Sequence, residues 1–583
     1  PVGLFHSLLH AGLSRRSDSL SQPAAFPLRF TPLASLPGEE VDPAWSPNGK
    51  SVAFSYRAEG QSSFDLCLME TGAAAPLQLT STPANERFPA WSPDSRRIAF
   101  IRNPGNEVWI TDAKGGDPRL ITALDSPLGG GANPLAWSGD GESLIVSSRW
   151  GGQPPASLLE VRLSSGVATR LTTPPPASFG DDDPAVSPDG RSIAFTRYST
   201  TRMKDIWITD ARGTPPRRVT SDERNISGLA WSNDGEHLLF ASDRGGPDPA
   251  LWKVPAAGGS PELLTVLPAY SRMISASSSR GGIAYSRYEL RSSIWRYELD
   301  PSGSIAKAPT RLITSSRIQA HPQYSPDGRS IAFMSDRSGF MEIWVSRSDG
   351  GEPRKLTDLR GEGGAPRWSP DSSWIAFDMR VRGKHGIYAV RAGGGPATAL
   401  VNDSNENGSP SWSHDGKWVY FLSNRSGRHE VWKVTPGGGQ PLQVTTGGGA
   451  VAFETPDGTT LFYSKSRQDP GLMKKALPNG LETPVLPGYE WAVLGAFQVT
   501  RRGIYLLERI ERAGQRLPVI SLLPTNGGTP RLLAFLDETA LPTAYPGGVT
   551  IWHPMSISPD GEHMLITQLD HVQSTIMIAK GRQ

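Results

Sequence analysis

The sequence predicts an all-β chain of tandem β-propellers, built from four-stranded antiparallel blades and closed most simply as two six-bladed rings. Three observations predict it. A turn motif recurs about every 45 residues, the period of a four-stranded propeller blade. Each copy leads into a short apolar, β-branched or alternating run, the pattern of a half-buried strand. The stretches between copies leave no room for helices of any length.

The copies follow in order. Trp45-Ser-Pro-Asn-Gly49 precedes SVAF, Trp91-Ser-Pro-Asp94 precedes RRIAF, and Trp137-Ser-Gly-Asp-Gly141 precedes SLIV. Val186-Ser-Pro-Asp-Gly190 and Trp231-Ser-Asn-Asp-Gly235 continue the series, and a worn copy lies near Ser277. The motif returns at Tyr324-Ser-Pro-Asp-Gly328, Trp368-Ser-Pro-Asp371 and Trp412-Ser-His-Asp-Gly416. Weaker copies fall at Phe453, near Phe497 and at Ile557-Ser-Pro-Asp-Gly561.

Each unit has a physical reading. Pro-Ala-Trp-Ser is a short strand A. In the Ser-Pro-Asp-Gly turn, Pro fixes φ, Asp accepts a local backbone bond and Gly takes the positive φ. Strand B follows, as in Arg329-Ser-Ile-Ala-Phe333, then a polar loop such as Ser335-Asp-Arg-Ser-Gly339. Strand C is Glu342-Ile-Trp-Val345 in that copy. A Gly350-Gly351 turn leads to strand D, Arg354-Lys-Leu-Thr357.

Single propellers hold about 4–8 blades, so a dozen units split most simply into six and six. The worn units then fall at the ends of the two sets, where repeats are atypical. Leu28-Arg-Phe-Thr-Pro-Leu33 reads as a D strand with no A, B or C before it, and Thr575-Ile-Met-Ile-Ala579 as a C strand with no D after it. An open edge leaves backbone groups unpaired. The first of these strands is therefore expected to close the sixth blade, and Arg311-Leu-Ile-Thr314 the twelfth. The domains predicted are a leader and linker at 1–27, a first propeller at 28–307 and a second at 308–583.

Composition sets bounds. The 583 residues carry 59 basic and 57 acidic side chains, with no clustered basic excess of the kind that marks nucleic-acid binding. The 63 Gly, 52 Pro and 17 Trp fit a packed core with many tight turns. Cys67 is the single cysteine, which excludes an intrachain disulfide and a cysteine zinc site. The opening PVGLFHSLLHAGL is apolar but shorter than the roughly 20 residues of a membrane span. It reads as a leader, or as the tail of a signal or membrane segment upstream of Pro1, and the Ser/Pro/Ala-rich stretch after it as a linker.

No catalytic constellation appears. There is no Gly-x-Ser-x-Gly elbow, the Gly-rich runs lack the Lys-Ser/Thr of a phosphate loop, and the ten histidines are scattered without metal spacing. Asp181-Asp182-Asp183 lies in a D–A loop and could hold a calcium ion, but it reads rather as an exposed, unpaired acidic turn, because a calcium site needs six or more oxygen ligands. Neither cofactor nor metal is expected.

One recurrence has possible chemistry. Arginines stand at nearly the same place in the B–C segments: Arg57, Arg102, Arg149, Arg197, Arg244, Arg337 and Arg425, with Arg287, Arg380 and Arg467 in the same row. Glu40, Asp42, Asp182, Asp183, Asp243 and Asp336 are expected on the same face. Two readings stand side by side. In one, each arginine pairs with a neighbouring blade's carboxylate or caps strand ends. In the other, the row is a cationic face that recruits a partner. The repeated tryptophans read as packing between blades.

The unit W-S-P-D-G-x-x-I-A-F, I-W-V, G-G-x-P-x-x-L-T resembles the TolB-like, WD40-like repeat family, over nearly the whole chain from Leu28. It is also similar to the C-terminal, extracytoplasmic propeller regions of bacterial membrane-spanning winged-helix regulators and Ser/Thr kinases. That resemblance implies a sensory or protein-binding module, periplasmic or otherwise extracytoplasmic, with a membrane tether upstream. The partner expected is a protein or peptide on the face of the B–C loops and D–A connections. Two alternatives from other classes are a free periplasmic TolB-like envelope assembly protein and a propeller enzyme, a lyase or glycosidase. A buried carboxylate cluster with raised pKa values at a channel mouth would favour the enzyme.

Overall fold

The computed structural model describes residues 29–580 apart from 126–132, 177, 200–202, 222–223, 246–248, 269, 277–281, 382–383, 466–469, 490–494, 513–514 and 538–553. Among the described residues there is no helix; seven sheets are four-stranded and antiparallel, and the remaining strands form an eight-stranded and a ten-stranded sheet in which blades are linked by single parallel bridges or by strands running from one blade into the next. The second blade is typical, with strands Asn85–Trp91, Arg97–Asn103, Glu107–Asp112 and Arg119–Ala123. Their buried faces supply Ala99, Ile101, Val108 and Ile110 to the layer between the second and third blades.

The turn chemistry holds in detail. In the fourth blade Ser187 Oγ–H donates to Asp189 at 2.6 Å, and Asp189 accepts the Arg191 N–H at 3.1 Å. Gly190 follows at φ 72°. Where the motif lacks glycine, Ser95 and Ser372 take positive φ themselves. Their hydroxyls accept the Asn48 and Asp327 amides of the preceding blade, each at 3.2 Å.

Strand D is often only two residues long, as at Arg217–Arg218 and Arg354–Lys355. The Thr that follows the Leu or Val after strand D explains why. Thr80, Thr172, Thr220, Thr357 and Thr445 each accept a strand C amide at 2.9 Å through Oγ1. A hydroxyl thus replaces the next rung of the ladder.

The tryptophans join one blade to the next. The indole N–H of Trp91, Trp137, Trp231 and Trp412 donates at 2.9 Å to the carbonyl of Ala44, Ala90, Ala185 and Arg367, the residue preceding the equivalent position one blade earlier. Trp368 does the same to Gln323 at 3.1 Å. The A strands touch in two closed circuits of six: Ser271–Ala276 of the sixth blade meets Gly38–Trp45 of the first, and Met555–Ile557 of the twelfth meets Gln319–Tyr324 of the seventh. At these seams the backbone N–H of Trp45 donates to Ser275 Oγ at 3.0 Å, and that of Tyr324 to Ser556 Oγ at 3.1 Å.

Two long strands tie the circuits together. Gly282–Glu298 pairs antiparallel with His563–Lys580 along its whole length, with one bulge at Arg291/Ser292. The sixth blade is therefore Ser271–Ala276, the first half of Gly282–Glu298, the second half of His563–Lys580, and Arg29–Pro32. The twelfth is Met555–Ile557, the first half of His563–Lys580, the second half of Gly282–Glu298, and Thr310–Ile313. The N-terminal strand lies in the sixth blade and Thr310–Ile313 in the twelfth, but each pairs with a C strand that crosses over from the other circuit. The sixth unit's own C strand was expected beside its own B strand. Continuing both strands straight through keeps an unbroken ladder and leaves no edge at either seam.

This exchange has a measurable consequence. Residues 28–307 alone lack 572–580, and so lack the strand on which Arg29–Pro32 pairs. Calorimetry of the full chain should show one unfolding transition. Residues 28–307 expressed alone should melt without a sharp transition, and co-expression with 308–583 should restore it. A cooperative, monomeric 28–307 would count against this coupling.

Candidate functional site

Five of the recurrent arginines, Arg57, Arg102, Arg197, Arg337 and Arg425, are held by partners of their own blades. Cross-strand register places Glu39 opposite Arg57, Glu86 opposite Arg102 and Asp181 opposite Arg197, and each pair is a salt bridge with a buried carboxylate. In the second circuit Arg337 donates to Gln319, and Arg425 to Asp403 and Asn407 at 3.1 Å. The guanidinium planes lie over aromatic rings of strands B and C. Arg102 is 4.0 Å from Trp109, Arg197 4.8 Å from Trp207, Arg244 4.6 Å from Phe240, and Arg337 and Arg425 each 5.1 Å from Trp344 and Trp432. Pairing was expected with a neighbouring blade. The partner is in the same blade because the A–B ladder brings the two residues directly opposite. Arg149 ends its strand at a bulge beside Trp150, and Arg467 lies outside the described residues.

Pairing between blades occurs where sequence reading did not place it. Arg87, on an A strand, forks onto both oxygens of Asp42 in the preceding blade. Asp42 is fixed for this by a left-handed φ of 54° at the bulge in its strand.

The faces bearing the B–C loops of the two circuits meet each other. Arg380 bridges to Asp243, Tyr270 O–H donates to Asp336 at 2.6 Å, and the Phe179 and His429 rings lie 5.8 Å apart. Val41, Phe64, Leu290, Ile318 and Met334 form a shared apolar cluster nearby. Of the expected acids, Asp243 and Asp336 thus join the circuits, while Glu40 accepts the amides of Leu36 and Ile576 at 2.8 and 3.0 Å.

Each circuit surrounds a channel. The first, about 430 Å³, is lined by the A strands of six blades, and Asp42, Asn133 and Asp183 lie on it. The residue before the tryptophan position is small throughout: Ala44, Ala90, Ala136, Ala185, Ala230 and Ser275. The second channel, about 220 Å³, has Gln323, Arg367, Ser411, Phe453, Gln498 and Ser556 at the same position. Large polar residues where the other circuit keeps alanine are the sequence signal that marks this channel.

Beside the first channel, where an exposed, unpaired acidic turn was expected, Asp181, Asp182 and Asp183 are instead buried at the start of an A strand, and Asp181 is paired with Arg197. Asp182 and Asp183 are fully buried, and desolvation pushes them up to about 7 and about 6, with buried Lys204 partly offsetting the rise. One oxygen of each meets no donor. Asp183 turns toward the channel because its φ is 60°. Burial also pushes the Cys67 thiol up to about 12, so it is not a ready nucleophile. Exposed Asp-Glu-His triplets at Asp234 and Asp560 occupy equivalent A–B turns. There Asp234 and Asp560 already accept the local serine hydroxyl and an amide.

Blades of one repeat, packed face to face around a central channel, define a β-propeller protein. The profile described as PD40, TolB beta propeller domain, matches residues 29–204 and 283–485, more than half of the chain, and the chain belongs to that family. It is similar to an uncharacterized protein of Agrobacterium fabrum, 26% identical across 33% of this chain and 71% of that one. A shorter likeness, 39% identical, links it to the uncharacterized peptidase YuxL of Bacillus subtilis, across 12% of this chain and only 10% of that one. A putative TolB from Agrobacterium tumefaciens has a solved structure 18% identical, with a TM-score of 0.27 across 61% of this chain and 94% of that one. No helix among the described residues is long and apolar enough to cross a membrane.

The buried acids set a pH dependence. The unfolded chain ionises Asp182 near 3.8, whereas the folded chain holds its proton up to about 7. The folded state thus binds more protons across that interval, and stability falls as pH rises through it. Asp182→Asn should flatten this fall and raise the urea midpoint above neutrality, as read by tryptophan fluorescence.

Proposed function

We propose that the chain closes as two six-bladed rings, from 28–307 and 308–583 with their C strands exchanged, and acts as a non-enzymatic module that binds a protein or peptide outside the cytoplasm. The part of the B–C and D–A loop faces left outside the junction between the circuits is the binding surface, and the Arg149–Trp150 hairpin is its anchor. One observation carries this reading. Trp150 is 43% exposed at the tip of a hairpin whose two-residue turn, Gly151 and Gly152, sits at φ 60° and 72°. A rigid turn that presents an aromatic beside an arginine is the composition of an interface hot spot. The turn is further pinned by the Gly152 N–H donating to Asp125 at 2.8 Å.

The other arginines support the binding surface from within, since their carboxylate and ring partners fix the strand ends that carry the loops. A sensory role in a membrane-tethered regulator and the role of a free envelope assembly protein both use this surface. Cell fractionation of the full-length protein separates them. Pull-down with Trp150→Ala should lose at least about tenfold in partner retention, about 1.4 kcal/mol, with unchanged thermal stability. Equal retention by the variant would remove the hairpin from the binding surface.

A second reading, a propeller enzyme of lyase or glycosidase type, rests on the Asp182–Asp183 pair. Two buried carboxylates raised toward neutrality beside a channel suit general acid–base work. Turnover of an acidic polysaccharide by the wild type and its loss in Asp183→Asn would favour this reading over the first.

A further inference from the structure

The second channel holds a charge that the fold does not neutralise. Arg367 is 6% exposed. Among the described residues its side chain makes no hydrogen bond or salt bridge, and its buried Nε meets no acceptor. Its guanidinium lies 4.9 Å from the Phe453 ring. Arg367 belongs to the eighth blade and Phe453 to the tenth, so the side chain reaches past the ninth blade along the channel wall. The nearest acid acting on it, Asp378, is occupied elsewhere, accepting the Ala365 amide at 2.8 Å and the Ser409 amide at 3.4 Å.

The groups around Arg367 are mostly donors. Ser411 Oγ lines the same channel and is buried without a partner. Gln323 and Gln498 spend their carbonyl oxygens on the Trp368 and Ile557 amides at 2.9 and 2.7 Å, which leaves their NH₂ groups as donors. The one carboxylate on the wall, Glu454, is already taken: Tyr420 O–H donates to one oxygen at 2.5 Å and the His414 N–H to the other at 2.6 Å. Phe453, Phe497, Trp368 and Trp412 supply an apolar wall.

A buried, unpaired cation is costly unless something pairs with it. Desolvation already pulls Arg367 down to about 9. In the first circuit the same position is alanine, so the arginine is not needed to build a blade. We propose that the second channel binds a small organic carboxylate. The carboxylate takes the fork of Arg367, whose planar donors match it, with Ser411 at its side, and the ligand's apolar body lies against Phe453, Phe497 and Trp412.

Benzoate and its neutral analogue benzamide are suitable probes, titrated by calorimetry into the full chain. Benzoate should bind, and benzamide at least about tenfold more weakly. Arg367→Met should lower benzoate affinity by a similar factor while holding or raising thermal stability, because it removes a buried charge. Trp150→Ala should leave the titration unchanged, which keeps this site separate from the hairpin surface. Equal binding of the two probes, no benzoate binding at millimolar concentration, or unchanged affinity in Arg367→Met would each overturn the proposal. The comparison of probes on the wild type decides even if the variant does not fold.

Discussion

The indole N–H of Trp91, Trp137, Trp231, Trp368 and Trp412, donated to the carbonyl just before the tryptophan position of the preceding blade, is the contact on which the architecture depends. Sheets stacked face to face need a fixed offset, and a hydrogen bond buried at the innermost edge of the stack supplies one. Such a bond contributes only about 1 kcal/mol net, but a buried carbonyl left without its donor would be costlier. The blades it joins are thereby set at the same spacing, and the residue carrying that carbonyl is turned onto the channel. Structure and channel chemistry are coupled through one position.

The seams show what happens when this contact cannot be used. Trp45 Nε1 is buried without an acceptor, and the seam instead relies on backbone N–H groups donating to Ser275 and Ser556. The remaining closure comes from Gly282–Glu298 and His563–Lys580, which run through both circuits as one ladder. Each circuit is completed by a segment distant in the chain, so the two halves share their stability and hold a fixed face-to-face relation. Arg380 with Asp243 and Tyr270 with Asp336 reinforce that relation on the loop side.

Charge is distributed by the same logic. Arg57, Arg102 and Arg197 are neutralised in place by register and by stacking on rings, as with Arg102 between Glu86 and Trp109. Three buried charges beside the channels are shifted from their ordinary ionisation. Asp182, Asp183 and Arg367 are buried with incomplete partners, one set beside each channel. A residue repeated in every blade serves the blade, and a buried exception within the repeat marks a place where the protein carries chemistry of its own.

Blade identity was legible from the chain because its causes are local. The Ser-Pro-Asp-Gly turn closes on itself within a few residues, alternation along Arg329–Phe333 sets the buried face, and the D strand ends where a Thr hydroxyl takes over the ladder. The arginine row was legible for the same reason, although its partners were not: register across strands A and B, which the chain does not spell out, decides that Arg57 meets Glu39. Arg367 was readable only by aligning the position before the tryptophan across all copies. By itself the sequence determined the repeat, its turns and the count of blades. Tertiary structure alone decided which C strand completes the sixth and twelfth blades, that the loop faces meet, and how far Asp182 and Arg367 are shifted. Those outcomes depend on contacts between residues hundreds of positions apart and on exclusion of water, and neither is encoded in any local stretch of the chain.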